Sequence, residues 1–307
     1  MRGRDLLSIA DLTPDELRRI IDVAVDMKRN GYPRRLAGKT LALVFEKASL
    51  RTNVSFTVAM QQLGGQAVYL GQSEVGLGQR EPVADVARVL SRYVDCIAAR
   101  TYAQETLVNL ARYASVPVVN ALSDDEHPCQ AVADLLTIFE NKGRFHGLTL
   151  AFIGDGNNVA TSLVQAAAMV GMNFIMASPE GYEPAAETLV RSRQWAAASG
   201  GEIEVVRSPE EAVRHADVVY TDVWISMGQE DSYEAKLKAF AGYQVNAGLL
   251  AQAPAEAILM HDLPAHRGEE IVDEVIEGPR SVVFDQAENR LHAQRAILAL
   301  LMGGEAA

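Results

Sequence analysis

The stretch Thr40-Leu-Ala-Leu-Val-Phe45, followed by Leu50-Arg-Thr-Asn-Val-Ser-Phe-Thr-Val-Ala-Met-Gln-Gln-Leu63, decides the fold. The first run is continuously apolar, which is typical of a strand buried on both faces. The second has helical periodicity and ends at Gly64-Gly65. The same alternation of short apolar run and helix recurs along the whole chain. Because parallel sheets need crossover helices on both faces, it predicts an α/β fold of two doubly wound parallel-sheet domains.

The boundary between the two domains is predicted at Asn141-Lys-Gly-Arg144, a polar break between two periodic regions. We expect a first domain over 1–141 and a second over 142–288, and the length of 307 residues suits two domains of about 150 residues. An amphipathic C-terminal helix, assigned to 289–307 with its periodic part over 289–302, is predicted to pack back on the first domain. The patterns also predict a helix over 83–93 and a strand over 116–120.

Charge and cysteine content exclude several classes of protein. The chain has 28 Lys and Arg against 40 Asp and Glu, a formal net charge of -12, whereas nucleic-acid binding needs a basic face. Its two cysteines form no CxxC pair, so we expect neither a disulfide scaffold nor a structural zinc site. No apolar run approaches the roughly 20 residues that span a bilayer, and the start has no signal-peptide pattern. We therefore expect a cytoplasmic protein that binds neither membranes nor nucleic acid.

Ligands of open α/β sheets bind beyond the carboxyl ends of the strands, so the strand-to-helix junctions are candidate sites. At the first junction, Ser49 is predicted as a helix N-cap, with Arg51 and Thr52 in the first turn. Backbone N–H groups, the positive helix end, a hydroxyl and a guanidinium would converge there, which favours a phosphate or carboxylate site. An ordinary capped helix with a solvated arginine explains this pattern equally well when it is taken alone.

Three further positions could contribute to an anion site. Arg100 directly follows an apolar run and needs a partner or a ligand. His127 and Gln130 flank the start of a predicted helix, with Pro128 suited to its first position. The imidazole could polarise a carbonyl and the Gln side chain could bond an amide, although a single His at a helix start is more often a structural cap. Arg290 lies in the charged first turn of the C-terminal helix, which by itself needs no ligand.

The second half carries two polar loops. In Gly154-Asp-Gly-Asn-Asn158 the dinucleotide pattern G-x-G-x-x-G fails at Val159, so Asn157 and Asn158 are candidates for binding a small polar ligand instead. The second loop, Asp222-Val-Trp-Ile-Ser-Met-Gly228, combines a carboxylate with a Gly-hinged apolar segment of the kind that closes over a substrate.

A third polar loop of this half is His261-Asp-Leu-Pro-Ala-His266. It could suggest a metal, but its ligands lack the helical His-x-x-x-His spacing and would make a poor tetrahedral site. We therefore expect no metal.

In this order the motifs resemble those of the transcarbamylase family across essentially the whole chain. The matching segments are F-E-K-x-S-L-R-T, H-P-x-Q, G-D-G-N-N, D-x-W-x-S-M-G-Q-E, H-x-L-P-A-H-R-G and D-Q-A-E-N-R. The S-M-G loop is similar to that of the ornithine branch of the family and differs from the aspartate branch. The resemblance implies an enzyme of arginine metabolism and amino-acid biosynthesis that transfers the carbamoyl group of carbamoyl phosphate to the δ-amine of L-ornithine, giving L-citrulline and phosphate.

The resemblance also implies that the enzyme needs no metal or organic cofactor, and that it is a homotrimer or a multiple of trimers with active sites between subunits. The residues that it implies for carbamoyl phosphate are Ser49, Leu50, Arg51, Thr52, Arg100, His127, Gln130, Leu263 and Arg290. Among these, the implied catalytic residues are Arg51, Thr52, Arg100, His127 and Gln130. The residues that it implies for ornithine are Asn158, Asp222, Ser226, Met227, Asp262 and Leu263.

Two positions depart from the family pattern. Asn53 and Thr57 stand where the family has Arg and Glu, which would pair at i and i+4 on one helix, so we interpret the change as the exchange of a structural pair. Asp262 replaces the family's cysteine beside the ornithine side chain and would favour the charged form of the δ-amine. Asp262 leaves open a transcarbamylase for another amine, such as putrescine or a modified ornithine. Asp262 and Asn53 together leave open a catalytically weak binding relative, with Asn53 weakening the affinity for phosphate. The sequence does not indicate the direction of the reaction in the cell.

Overall fold

The short apolar runs form parallel strands in a computed structural model, which describes residues 1–226 and 233–303. The chain divides into two units, one of Met1–Leu136 together with the chain from Glu288 onward and the other of Thr137–Ala287. Both units contain an all-parallel sheet with helices between successive strands. The predicted fold of two doubly wound α/β domains is confirmed.

The first unit alternates strands and helices after a short 3-10 turn at Ile9–Asp11. Its elements are α1 (Pro14–Asn30), β1 (Thr40–Phe45), α2 (Leu50–Gln62), β2 (Gln66–Leu70), α3 (Gln72–Val75), α4 (Val83–Leu90), β3 (Cys96–Arg100), α5 (Gln104–Tyr113), β4 (Val118–Leu122) and α6 (Pro128–Lys142). The boundary between the units falls inside α6.

The sheet of the first unit has the order β2-β1-β3-β4, so the order reverses between β1 and β3. Phe45 at the end of β1 pairs with Arg100 at the end of β3. Such a switch point, beyond the carboxyl ends of two neighbouring strands, is where open α/β sheets bind ligands. Apolar side chains such as Val44, Ile97 and Leu107 are fully or almost fully buried beneath it and hold the strand ends in place.

The second unit repeats the pattern with five strands. Its elements are β5 (Thr149–Ile153), α7 (Asn158–Met169), β6 (Asn173–Ala177), α8 (Ala186–Ser199), β7 (Ile203–Val206), α9 (Pro209–Val213), β8 (Val218–Thr221), α10 (Tyr233–Ala239), α11 (Ala247–Leu250), β9 (Ile258–His261) and α12 (Asp273–Ile276). The strand order is β7-β6-β5-β8-β9, and it reverses between β5 and β8. The loops after these two strands therefore lie at the switch point of this sheet.

The C-terminal helix α13 (Val283–Met302) packs back on the first unit, as predicted. Asn289 accepts a hydrogen bond from Lys28 of α1 at 2.9 Å, and Arg295 donates to Gln62 of α2 at 2.7 Å. Over the two described ranges, no helix is both long enough and apolar enough to cross a membrane.

Some element bounds differ from those predicted. Helix α4 ends at Leu90 and not at 93, because the Ser91 hydroxyl bonds the Ala87 carbonyl and also accepts from Ser115. Strand β4 begins at Val118, after Pro117, which has no N–H to give to the ladder.

Helix α13 starts at Val283, six residues before the predicted 289. Its first turns bury the polar side chain of Gln286, which donates to the Tyr220 hydroxyl at 3.0 Å. Because a polar residue takes a buried position here, the apolar pattern does not indicate the first turns of the helix.

Candidate active site

Ser49, Thr52 and Arg290 meet at the start of α2. Ser49 is the N-cap and its hydroxyl accepts from the Thr52 N–H at 3.3 Å, as predicted from the sequence. Thr52 is completely buried, and its hydroxyl accepts a 2.7 Å hydrogen bond from the Arg290 guanidinium. A residue near the C-terminus is thus fixed at the N-terminal turn of α2, where backbone N–H groups and the helix dipole favour an anion.

Arg100 lies at the end of β3, next to the same loop. The register of β3 with β4 shifts between Ala99 and Arg100, and the Glu46 N–H donates to the Arg100 carbonyl at 2.8 Å. A bulge of this kind redirects a side chain at the end of a strand. The side chain is buried, as expected for a charge that serves a site rather than the solvent.

His127 is buried immediately before α6, and Pro128 is the first residue of that helix, as predicted. Burial lowers the pKa of His127 well below its ordinary range, and the positive charges of Arg290 and Arg100 lower it further. The imidazole is therefore neutral at physiological pH. A neutral imidazole can still donate one N–H to a carbonyl oxygen, and the two arginines are close enough for their charges to act on it.

Gln130 lies in the first turn of α6 and is completely buried. Its Nε2 donates to Asp134 at 2.8 Å, whereas within the described part of the chain no hydrogen bond reaches its Oε1. An unpartnered buried amide oxygen has a cost of about 1–3 kcal/mol unless a ligand or water donates to it. Arg51 is half-buried and Leu50 is exposed in the first turn of α2. The structure thus gathers the predicted residues of the first unit at one end of its sheet.

Sequence reasoning missed the contacts that hold these loops together. Lys47 is buried, pairs with Asp124 in the loop before α6, and lies 4.4 Å above the ring of Tyr102. The Glu46 carboxylate accepts from the Tyr102 N–H at 2.9 Å. These contacts connect the loops after β1, β3 and β4. The sequence does contain one signal of these contacts, because the charged residues Glu46 and Lys47 directly follow an apolar strand.

Asn157 and Asp222 meet at the switch point of the second unit. Asn157 is the N-cap of α7, and its Nδ2 donates to Asp222 Oδ2 at 2.7 Å. Asp222 Oδ1 accepts from the Val223 N–H at 2.7 Å, so the orientation of the carboxylate is fixed. Asn158 is buried in the first turn of α7. Ser226 is half-buried four residues after Asp222, and Met227 lies outside the described residues.

The loop after β9 brings Asp262 beside Asp222. Ligand atoms of Asp222, His261 and Asp262 lie within 4.8 Å of one another. Both ring nitrogens of His261 are occupied, because Nδ1 accepts from the Leu263 N–H at 2.9 Å and Nε2 lies 3.0 Å from Glu270 Oε1. We assign the hydrogen to Nε2 from this pattern. Since a metal needs a ring nitrogen lone pair, His261 in this arrangement does not fit a metal ligand.

Leu263 has a left-handed backbone with φ 61°, which is uncommon for a residue with a side chain. Its N–H bond to the buried His261 ring holds this conformation. Strained backbone of this kind occurs at ligand sites, where the surrounding structure supports it.

Asn53 and Thr57, the two residues of α2 that depart from the family pattern, face each other. The Thr57 hydroxyl donates to Asn53 Oδ1 at 3.3 Å, over one helical turn. A neutral hydrogen bond thus stands at the i and i+4 positions where the family pattern has a charged pair, in keeping with the interpretation of an exchanged structural pair.

The fold and the two polar sheet ends define a two-domain α/β protein with a candidate anion site in one unit and a group of carboxylates in the other. Residues 4–140 match the family described as aspartate/ornithine carbamoyltransferase, carbamoyl-P binding domain, and residues 146–301 match its Asp/Orn binding domain. The chain belongs to the aspartate/ornithine carbamoyltransferase family.

Individual relatives are similar over their full length. The chain is 56% identical to an ornithine carbamoyltransferase of Gloeobacter violaceus, over 98% of this chain and 96% of that protein. It is 53% identical to an ornithine carbamoyltransferase of Pyrococcus horikoshii, over 99% and 97%. The solved structure of ornithine carbamoyltransferase from Pyrococcus furiosus matches with a TM-score of 0.95 and 51% identity, over 99% of both chains.

Proposed function

We propose that this protein transfers the carbamoyl group of carbamoyl phosphate to the δ-amine of L-ornithine, giving L-citrulline and phosphate. The observation that carries the proposal is the buried cluster of Thr52, Arg100, His127 and Arg290, which four distant segments bring to one sheet end. The relatives that share 56% and 53% identity with this chain are ornithine carbamoyltransferases, which favours ornithine over other amines.

In this proposal the first unit binds carbamoyl phosphate. Ser49, Arg51, Thr52 and the backbone N–H of Leu50 hold the phosphate at the N-terminus of α2. Helix-end N–H groups and a guanidinium suit a dianion, and charge-assisted hydrogen bonds to such a group are about twice as strong as neutral ones. The Ser49 cap and the Arg290 bond to Thr52 support it, because they fix the turn that would meet the phosphate.

Arg100, His127 and Thr52 polarise the carbonyl oxygen and stabilise the oxyanion that forms there. A neutral His127 supports this role, since it can donate a hydrogen bond to the oxygen without adding a third positive charge next to Arg100 and Arg290. One donor of this kind is worth about 2.7–4 kcal/mol of transition-state stabilisation in other enzymes. Gln130, Arg290 and the Leu263 carbonyl orient the carbamoyl amide. The unpartnered Oε1 of Gln130 suits an amide N–H donor.

The second unit binds ornithine through Asn158, Asp222, Ser226, Met227, Asp262 and Leu263. Its carboxylates suit the ammonium groups of a dibasic amino acid. The δ-amine must lose a proton before its lone pair can attack the carbamoyl carbon. The bond from that carbon to the phosphate oxygen then breaks, and the proton that the attacking nitrogen loses balances the charge of the leaving phosphate as HPO₄²⁻. No metal or organic cofactor takes part in this sequence of steps.

We also propose a cytoplasmic homotrimer, or a multiple of trimers. Both cysteines are buried thiols, which suits a reducing compartment. Exposed apolar side chains on α2 (Leu50, Val54) and on β2 (Val68, Tyr69) support contact with another copy. Sedimentation or light scattering tests the trimer, and a monomer at micromolar concentration would contradict it.

The experiment that tests the function is a citrulline assay with carbamoyl phosphate against ornithine, putrescine, N-acetylornithine and aspartate over pH 6 to 10. We expect product from ornithine only. Arg290→Met should abolish most of the activity, while Arg92→Met, which changes an exposed arginine, should leave it unchanged. Turnover of another amine in preference to ornithine would overturn the proposal, and so would full activity in Arg290→Met.

A further inference from the structure

Lys236 is a buried lysine in α10 that no step of the proposed reaction uses. Its side chain is only 9% exposed, and its ammonium donates to Asp155 Oδ2 at 2.6 Å and to the Trp224 carbonyl at 2.8 Å. Lysines are almost never buried unless they are paired, since desolvating the charge is expensive. The contacts therefore give this side chain a specific task.

Asp155 is the second residue after β5, between Gly154 and Gly156, and lies near the polar pair of Asn157 and Asp222. Burial raises the pKa of Asp155, the bond and charge of Lys236 lower it, and the negative charge of Asp222 raises it again. The ammonium of Lys236 thus lies at the same end of the sheet as the carboxylates of Asp155, Asp222 and Asp262. The ammonium of Lys236 balances Asp155 and leaves the charge of Asp222 for a cationic ligand.

Trp224 is held from two sides. Its indole stacks on Phe240 with the ring centres 5.4 Å apart and the planes at 15°, and the Phe240 ring meets Tyr182 edge-on at 5.1 Å. On the other side, Lys236 fixes its carbonyl. Ser226 follows two residues later, so the position of its backbone depends on these contacts.

We propose that Lys236 is a positioning residue for the amino-acid substrate: it balances the charge of Asp155 and anchors the backbone segment that carries Ser226. This inference rests on the proposed function, in which Asp222 and Ser226 bind ornithine. Without the ammonium, the charge of Asp155 would be unbalanced beside Asp222, and the Trp224 carbonyl would lose the hydrogen bond from Lys236.

The first test compares Lys236→Met and Lys236→Arg with the matched control Lys238→Met, which changes an exposed lysine of the same helix. In Lys236→Met we expect the KM for ornithine to rise about tenfold, the effect of losing one charge-assisted hydrogen bond, while the KM for carbamoyl phosphate stays unchanged. Lys236→Arg should recover most of the ornithine affinity, and Lys238→Met should behave like the parent protein. An equal rise of both KM values, or no recovery in Lys236→Arg at unchanged thermal stability, would overturn the inference.

A second measurement does not depend on turnover. The chain has two tryptophans, so Trp195→Phe leaves Trp224 as the single tryptophan, which can be excited selectively above the absorption of tyrosine. Ornithine titrated against its emission should bind about tenfold more weakly when Lys236 is Met. Equal dissociation constants with and without the ammonium would refute the positioning role. If the parent protein made no citrulline but its ornithine affinity still depended on Lys236, the proposed function would fail and the positioning role would stand.

Discussion

Replacing Asp262 by asparagine should shift the pH dependence of kcat toward acid. The carboxylate atoms of Asp222 and Asp262 lie within 4.8 Å of one another, and the Asp262 side chain is only 11% exposed. A δ-ammonium bonded to one carboxylate is then close to the other as well, which favours its charged form. Because the amine attacks only when neutral, both carboxylates oppose its activation.

The size of the shift follows from these distances. Two unit charges about 4 Å apart interact by about 4 kcal/mol at an effective dielectric constant of 20. One pKa unit corresponds to about 1.4 kcal/mol, so the interaction sets an upper bound of about three units. The asparagine oxygen still accepts a hydrogen bond from the ammonium and retains part of this energy. We therefore expect the pKa of the bound δ-ammonium to fall by about one to two units in Asp262→Asn.

The assay is kcat at saturating substrates over pH 6 to 10, since the pH profile of kcat reports groups of the enzyme–substrate complex. The midpoint of the rise in kcat should lie about one to two units lower in Asp262→Asn than in the parent protein. Asp262→Cys should follow the asparagine variant below the thiol pKa of about 8.5. Glu274→Gln, which changes an exposed carboxylate of α12, is the control and should leave the midpoint in place. Identical midpoints for the parent protein and Asp262→Asn would refute the reasoning.

Three other changes test separate parts of the structure. Burial lowers the pKa of His127 in the folded chain. Below pH about 6.5 the unfolded chain therefore takes up a proton that the folded chain does not, and the free energy of unfolding falls as the pH falls. His127→Gln should reduce this fall in urea unfolding between pH 7 and 5, and an unchanged slope would contradict the burial argument. Asn53→Arg should leave the KM for carbamoyl phosphate nearly unchanged, because Asn53 bonds a hydroxyl one turn along its own helix, and a large decrease in that KM would show a phosphate role. A Cβ on Gly156 would lie 2.2 Å from the Pro184 nitrogen, so Gly156→Ala should lower the free energy of unfolding in urea by about 1–3 kcal/mol. Gly248→Ala is the control and should lower it less, because the nearest contact of its Cβ would be 3.3 Å away.

The sequence predicts best what short-range contacts determine. The Ser49 cap involves a bond to a residue three positions later, so the pattern around it is sufficient to place the start of α2. The bond from Arg290 to Thr52 joins residues 238 positions apart. No local pattern encodes it, and only the resemblance of the whole chain to a known family indicated that both belong to one site.

The Lys236 contact shows why the remaining residues were missed. Lys236 and Lys238 stand two positions apart in one short helix, and by composition they are equivalent. The spacing contains a clue, because Lys236 is four residues before Phe240 and therefore lies on the same helical face as a buried ring. Its partner Asp155 is 81 positions earlier in a glycine loop, and no sequence rule selects that pair.

Two buried titratable groups, His127 and Asp155, show how burial and neighbouring charges act together in the two units. At His127 the arginines Arg290 and Arg100 lower the pKa, so the field there is positive. At Asp155 burial raises the pKa, the bond and charge of Lys236 oppose this effect, and the negative charge of Asp222 adds to it. A bound dianion would offset the positive charges around His127, and a bound ammonium would offset the neighbouring carboxylates of Asp222 and Asp262. The net charge of -12 describes neither site. Because buried charges act over a few ångströms with little screening, the local sign decides which ligand each unit binds, and the acidic surface does not prevent an acidic protein from holding a phosphate.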